Sequence, residues 1–116
     1  MGNNNQKYKW TEWNRFPDPR KGEYLFAPFG LGVYQLRNSK TNEFILFGSG
    51  KNLAYRMSSL LPKPYGQGTR NNEGKRQYVL NNIKDIEYRT VAFISQEEMK
   101  KCEQELKQLK IHKFNT

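Results

Sequence analysis

Alternating apolar and polar positions predict a β-hairpin in the first half of the chain. From Leu31 to Arg37 successive side chains fall into two alternating sets, as they do on the two faces of a strand, and residues 38–42 are turn formers. Glu43 to Phe47 then forms a second strand, and Gly48-Ser49-Gly50 ends the hairpin. Because the turn is short, the two strands are expected to be antiparallel.

Helical spacing and capping signals predict three helices and one more strand in the second half. Apolar residues at helical spacing place one helix at about Lys51 to Leu61 and another from Asn72 to about Lys84. Ile86 to Ile94 is expected to be a third strand, and the capping box Ser95-Gln96-Glu97-Glu98 opens the last helix. The segment from Pro62 to Asn72 contains prolines and glycines and is predicted to be a surface loop.

The order of these elements predicts a small α/β (α+β) fold, in which a three-stranded sheet that starts with a β-hairpin is flanked by about three helices. The direction of the third strand stays open. With 116 residues and a mean hydropathy of −0.98, the chain is expected to form one domain with a thin core. Residues 1–29 are predicted to form an aromatic and basic arm, and residues 30–116 the domain proper. Trp10 and Trp13 of the arm either pack over a core edge or stack on nucleic-acid bases.

The charge of the chain indicates a polyanionic partner. Lys and Arg number 20 against 11 Asp and Glu, and a net charge of +9 is typical of proteins that bind nucleic acid. A charge that only promotes solubility is the alternative. Several basic side chains in the middle of the sequence are candidates for nucleic-acid contacts. They are Lys51, Lys63, Arg70, Lys75 and Arg76.

Cysteine usage and hydropathy indicate an intracellular protein, and more narrowly a cytoplasmic one. Cys102 is the single cysteine, which excludes an intrachain disulfide and favours a reducing compartment. No apolar stretch approaches the length of a transmembrane helix, and the N-terminus lacks the hydrophobic core of a signal peptide. We therefore expect no membrane partner.

Three side chains from different elements could together hydrolyse a phosphodiester. Tyr34 offers a hydroxyl, Arg56 a guanidinium beside the apolar stripe of its helix, and Glu103 a carboxylate. Each has an ordinary structural alternative. Tyr34 is then a core aromatic, Arg56 forms a surface ion pair or covers apolar atoms with its stem, and Glu103 forms a solvated pair with Lys107. Periodicity alone does not distinguish Glu103 from Glu105, because the two border the apolar face of the last helix on opposite sides.

Short motifs at fixed spacings add to this set. Gly32-Val33-Tyr34 lies on the first strand and Leu46-Phe47-Gly48 on the second, Arg56 follows Gly48 by eight residues, and Asn115 follows Glu103 by twelve. This combination resembles the GIY-YIG nuclease family. Leu46 departs from the family pattern, because it occupies the place of the second tyrosine. The resemblance selects Glu103, which lies four residues after Met99 and three before Leu106.

The resemblance implies a DNA endonuclease that depends on Mg²⁺ or Mn²⁺ and cuts one strand at a time, with RNA as an alternative substrate. It assigns Tyr34 to the attacking water, Arg56 to the scissile phosphate, Glu103 to the metal and Asn115 to the local hydrogen-bond network, with Lys51 as an added phosphate contact. Since the unperturbed pKa of tyrosine is near 10, Arg56 would have to lower the pKa of Tyr34 for it to act as a base. The alternative, motivated by Leu46, is a catalytically inactive domain that binds nucleic acid or a protein.

Overall fold

The computed structural model describes residues 8–23, 25, 27–58, 60 and 73–114. These residues form four strands, three α-helices and two short 3-10 helices. In chain order they are β1 (Asn14–Arg15), a 3-10 helix (Pro19–Lys21), β2 (Gly32–Asn38), β3 (Glu43–Gly50), α1 (Leu53–Ser58), α2 (Glu73–Asn81), a second 3-10 helix (Ile83–Asp85), β4 (Ile86–Ala92) and α3 (Gln96–Leu109).

The strands form one antiparallel sheet in the order β1-β4-β2-β3. The predicted α+β class is confirmed, as is the antiparallel hairpin of β2 and β3, but the expected count of three strands is wrong. The fourth strand, β1, comes from the N-terminal arm and pairs with the outer edge of β4, with Asn14 opposite Tyr88. Because both residues of β1 are exposed, it has no alternating pattern by which the sequence could have revealed it.

A β-bulge interrupts the hairpin. Leu36 pairs with Leu46, but the next residue, Arg37, pairs with Phe44, so Ile45 is the extra residue of β3. A bulge adds one residue to one strand and bends it locally. Beyond the bulge, the register places Tyr34 opposite Gly48.

Helices cover both faces of the sheet. Tyr34, Leu36 and Leu46 face the cluster that contains Leu53 and Met57 of α1 together with Val79 of α2. On the opposite face, buried residues of β2, β3 and β4 pack against the apolar side of α3. They are Val33, Phe47 and Val91, with Met99, Cys102 and Leu106 of the helix. Cys102 is therefore a core residue.

The helix ends differ from the predictions by a few residues. Helix α1 begins at Leu53 because the side chain of Asn52 accepts a hydrogen bond from the Tyr55 N–H, and it ends at Ser58. Helix α2 ends at Asn81, before a 3-10 helix and not at Lys84 as expected. Helix α3 has the predicted cap, since the Ser95 hydroxyl accepts from two backbone N–H groups of the first turn. No helix in the described ranges is long and apolar enough to cross a bilayer.

Candidate functional site

The candidate site is built around the phenol of Tyr34, which lies across Gly48 on the neighbouring strand. An ideal β-carbon placed on Gly48 would lie 2.5 Å from the Tyr34 hydroxyl oxygen and 2.7 Å from its Cζ. Atoms in ordinary contact are about 3.5 to 4.0 Å apart, so any side chain at this position would displace the ring. The glycine of the second motif is thus required by the tyrosine of the first.

Arg56 is held beside Tyr34 by a second close approach. A β-carbon on Gly50 would lie 3.1 Å from Cβ and 3.4 Å from Cγ of Arg56, so the arginine stem runs over Gly50. Gly48 and Gly50 are two residues apart on the same face of β3, a step of roughly 7 Å along a strand. The phenol and the stem therefore lie over neighbouring positions of one strand.

Helix α1 can place Arg56 there because the sheet beneath the start of the helix has no side chain. A β-carbon on Gly32, the partner of Gly50, would lie 2.8 Å from Cδ2 of Leu53. The first turn is fixed further, because the backbone N–H groups of Leu53 and Ala54 donate to the carbonyl oxygens of Gly30 and Pro28. Gly32 of the first motif and Gly50 therefore allow the helix that carries the guanidinium to approach the sheet.

The electrostatics of Tyr34 bring two further elements to the site. Burial raises the pKa of the Tyr34 phenol to about 12, and the negative charge of Glu103 adds to the rise. The positive charges of Arg56 and Arg76 oppose it. Arg56 thus acts in the expected direction, but burial outweighs it. The condition for Tyr34 to act as a base is therefore not met, because its pKa is above the ordinary value and the phenol is neutral at pH 7.

Arg76 belongs to the site in a way that the sequence-based prediction did not specify. It was expected within the second helix and among the candidate nucleic-acid contacts, and the structure has it in α2, buried and close enough to affect Tyr34. A sequence signal for this position exists, because Arg76, Val79 and Ile83 are spaced as one helical stripe and the other two are core residues. An arginine within an apolar stripe indicates a buried guanidinium.

Lys75 adds another cation to the same region. Burial lowers its pKa, and the positive charges of Arg56 and Arg76 lower it further. Two guanidinium groups and the Glu103 carboxylate therefore affect a neutral phenol, and Lys75 adds positive charge close to the two guanidinium groups. Such an excess of positive charge favours binding of an anion, and guanidinium groups are well suited to phosphate.

The structure distinguishes the two glutamates of α3 that periodicity left open. Glu103 is half-buried and acts on Tyr34, whereas Glu105 accepts a hydrogen bond from the Tyr8 hydroxyl at 2.7 Å, in a different part of the molecule. Of these two glutamates, Glu103 is the one whose charge affects the Tyr34 phenol. Glu103 is also the glutamate that motif spacing selected, and its role in a site stays a prediction.

The remaining predicted site residues are distributed differently. Lys51 is exposed between β3 and α1, at the end of the sheet where Gly50 and Arg56 lie. Lys63, Arg70 and Asn115 lie outside the described residues. The segment just before Asn115 runs along the outer edge of β3, where the backbone N–H of Phe114 donates to the carbonyl of the bulged residue Ile45 at 2.8 Å.

Leu46 lies in the core and not at an active surface. It belongs to the cluster that contains Tyr34, Leu36 and Leu53, and it precedes Gly48 on the same strand. Its side chain therefore supplies packing beneath α1, where the family pattern has a second hydroxyl. Tyr55 does not replace that hydroxyl from within the core, because its side chain is 69% exposed.

Among the side chains around Tyr34, one carboxylate, that of Glu103, could bind a metal ion. Among the described residues there is no group of three or more His, Cys, Asp or Glu side chains suited to a metal ion. Glu103 alone fits Mg²⁺, which usually keeps several waters and shares its ligands with substrate phosphate. Since Arg56 and Arg76 repel a free cation, we expect the ion to bind together with a phosphate group.

Trp10 and Trp13 of the arm contact arginines on the face of the sheet opposite to Tyr34. The Arg89 guanidinium lies 4.3 Å from the ring centroid of Trp10 and 4.7 Å from that of Trp13, and Arg37 lies 4.3 Å from the Trp13 ring. These cation–π contacts hold the arm against the sheet. Of the two alternatives for the tryptophans, packing on the domain is the one observed.

Comparison of the chain with protein-family models, with curated proteins and with solved structures gives no significant match in any of the three. A function for the chain is therefore inferred from its own residues and their arrangement.

Proposed function

We propose that this chain is a metal-dependent DNA endonuclease of the GIY-YIG type, which hydrolyses phosphodiester bonds one strand at a time. The observation that carries the proposal is the arrangement around Tyr34, where Arg56, Glu103 and Arg76 come from three different helices to act on one phenol. A hydroxyl, two guanidinium groups and a carboxylate are a suitable set for phosphodiester hydrolysis. The net charge of +9 favours a polyanionic substrate.

Each side chain has a defined task in this proposal. Arg56 and Arg76 bind the non-bridging oxygens of the scissile phosphate and neutralise the charge that develops there. The neutral phenol of Tyr34 orients the attacking water by hydrogen bonding. Glu103 holds Mg²⁺ or Mn²⁺, and such an ion, when bound, lowers the pKa of water and stabilises negative oxygen.

Residues at the margin of the site complete the assignment. Lys51 and Lys75 contact neighbouring phosphates, with Lys63 and Arg70 as further candidates from the preceding segment. Asn115 keeps the role that the resemblance implies, in the hydrogen-bond network of the site. DNA is the proposed partner. Cleavage of RNA of the same sequence, measured beside cleavage of DNA, would show whether RNA is also a substrate.

The test is nicking of supercoiled plasmid in Mg²⁺ or Mn²⁺ by the wild type, Glu103→Gln and Glu105→Gln. The two variants remove one carboxylate each from the same helix, but only the first removes it from the candidate site. We expect nicking by the wild type and by Glu105→Gln, and a loss of at least 100-fold in Glu103→Gln. Equal rates for both variants, or activity that persists in EDTA, would refute the assignment.

A catalytically inactive binding domain is the second candidate, and Leu46 favours it. A buried leucine occupies the place of the second tyrosine, so the hydroxyl expected there is missing. Under this alternative the wild type binds DNA without cutting it. Nicking that appears only after Leu46→Tyr, in a variant with unchanged melting temperature, would identify a site that has lost its activity.

A further inference from the structure

The most exposed large apolar side chains in the described part of the chain lie at one end of the sheet. Ile94 is 97% exposed, Phe29 82% and Tyr55 69%. Phe29 precedes β2 by three residues, Tyr55 lies in α1, and Ile94 follows β4 by two residues. At this end Gly32 pairs with both Gly50 and Ala92, so all three side chains surround the end of the sheet at which Arg56 crosses Gly50.

The backbone segments that carry the two aromatic residues are hydrogen-bonded to each other. The carbonyl of Pro28 accepts a hydrogen bond from the Ala54 N–H at 2.8 Å, so the neighbours of Phe29 and Tyr55 are directly bonded. Asn52 caps the N–H of Tyr55 itself. The rings are therefore exposed on a backbone that is fixed, and not on a loose segment.

Tyr55 and the candidate phosphate site share a helix. Tyr55 and Arg56 are adjacent in α1, about 100° apart around its axis, and both are exposed, while Leu53 and Met57 of the same helix are buried. Lys51, also exposed, immediately precedes the cap of the helix. The aromatic side chains are thus next to positive charge, which is the composition of a surface that binds nucleic acid through phosphates and base faces.

An exposed aromatic ring can stack only on a base whose face is open. In a continuous duplex the base faces are covered by their neighbours, whereas in single strands, bubbles and gaps they are accessible. A surface that combined aromatic rings with a phosphate site would therefore distinguish unstacked from stacked DNA. A solubility role does not explain the rings, because large exposed apolar groups lower solubility.

We propose that Phe29 and Tyr55 form a stacking platform for unpaired bases next to the scissile phosphate, so that the preferred substrate is DNA with unstacked nucleotides at the site of cleavage. This inference rests on the proposed nuclease function and specifies its substrate class. It assigns recognition to base faces, without hydrogen bonds to base edges. The preference is therefore expected to depend on DNA structure more than on DNA sequence.

The test compares binding and cutting of two labelled DNAs of equal length, one a full duplex and the other with an internal bubble of thymines. Binding is measured by fluorescence anisotropy in EDTA, and cutting in Mg²⁺ or Mn²⁺. Tyr55→Leu and Phe29→Leu remove the ring but keep an apolar side chain, Tyr55→Phe keeps the ring, and Ile94→Ser is the control for general loss of apolar surface.

We expect the wild type to prefer the bubble, and each leucine variant to lose about tenfold of that preference, as a base–aromatic stack of ordinary strength predicts. Tyr55→Phe and Ile94→Ser should keep it, and affinity for the duplex should not change. A wild type that nicks both DNAs equally, or a Tyr55→Leu variant with unchanged preference, would overturn the stacking platform while leaving the nuclease assignment intact.

Two other outcomes would also overturn the stacking platform, one together with the proposed function and one without it. If the wild type neither binds nor cuts either DNA, the proposed function fails and the platform fails with it. If the leucine variants leave both DNA affinities unchanged but lower self-association in sedimentation, the exposed rings form a protein interface and the proposal is wrong.

Discussion

The closest approach in the candidate site gives a direct test of how Tyr34 is held. In Gly48→Ala the new methyl group would start 2.5 Å from the Tyr34 hydroxyl oxygen and 2.6 Å from its Cε2. To reach ordinary contact, the ring or the strand must move by about 1 Å. Overpacking of this kind costs about 1–3 kcal/mol. Gly48 is not among the described residues with positive φ, so backbone strain does not contribute to the cost.

The net change is smaller than the steric cost, because alanine also restricts the unfolded chain. That effect stabilises by about 0.4–1 kcal/mol, so we expect Gly48→Ala to lose about 1–2 kcal/mol of unfolding free energy. Gly74→Ala in α2 is the matched control, since nothing lies within 4 Å of its added β-carbon. The control should gain about 0.5–1 kcal/mol.

Urea unfolding followed by circular dichroism measures both variants. A double-mutant cycle with Tyr34→Leu then assigns the cost to the ring, because truncation removes the three atoms that the methyl group would meet. Relief of about 1 kcal/mol or more in the double variant is the expected coupling. Additive effects, or a Gly48→Ala variant as stable as Gly74→Ala, would refute the close packing of Tyr34 on Gly48.

Further predictions concern the second guanidinium, the buried histidine and the arm. Arg76→Met should lower the nicking rate of the folded protein by about 100-fold or more, and a wild-type rate would contradict its role. His112 accepts a hydrogen bond from the Gln35 amide at 2.9 Å, and burial lowers its pKa from 6.5 to about 4. The unfolded chain therefore binds more protons in that pH range, and the free energy of unfolding should fall by up to about 3 kcal/mol as the pH drops from about 6.5 to 4. A flat profile equal to that of His112→Gln would contradict this. Tyr8→Phe removes the bond to Glu105 and should cost about 1 kcal/mol in urea unfolding, whereas an unchanged midpoint would show that the bond adds nothing.

The orientation of Gln35 follows from its other partner. Arg89 donates its Nε–H to the Gln35 carbonyl oxygen at 2.9 Å, and because a guanidinium is only a donor, the amide nitrogen must face His112. The histidine Nε2 then accepts, and its proton resides on Nδ1, which is buried without a hydrogen-bond partner in the described structure. Protonation of Nε2 would place two donors against each other, which is the physical reason for the expected acid sensitivity.

The sequence predicted the parts of the fold that depend on side-chain period. The hairpin, the cap at Ser95 and the apolar face of α3 follow from alternation, capping chemistry and helical spacing, and the structure has all three. Strand β1 was missed because two exposed residues held by backbone hydrogen bonds carry no periodic signal. Gly48 follows Tyr34 by fourteen residues, one more than is typical of the family that the sequence resembles. That spacing fits a longer turn or a bulge, and the structure has a bulge at Ile45.

The sequence likewise predicted part of the candidate site. Tyr34, Arg56 and Glu103 were identified from motif spacing, and in the structure the charges of Arg56 and Glu103 both affect the pKa of the Tyr34 phenol. Two features depend on tertiary contacts that the sequence shows only in part. One is the entry of Arg76 from α2, which appears in the sequence only as a charge within an apolar stripe. The other is the pKa of Tyr34, because the sequence gives the sign of the Arg56 charge but not the extent of burial that outweighs it.

The raised pKa of Tyr34 also changes the weight of the missing second tyrosine. With a pKa of about 12, roughly one phenol in 100,000 is ionised at pH 7, so Tyr34 contributes to the proposed reaction as a neutral hydrogen-bonding group. A phenol at position 46 would lie on the same buried face of the sheet and would be subject to the same desolvation. Neither tyrosine would then act as the base, and catalysis would rest on charge stabilisation by Arg56 and Arg76 and on an ion held by Glu103. Under this proposal, Leu46 removes one element that orients water but leaves the electrostatic core of the site in place.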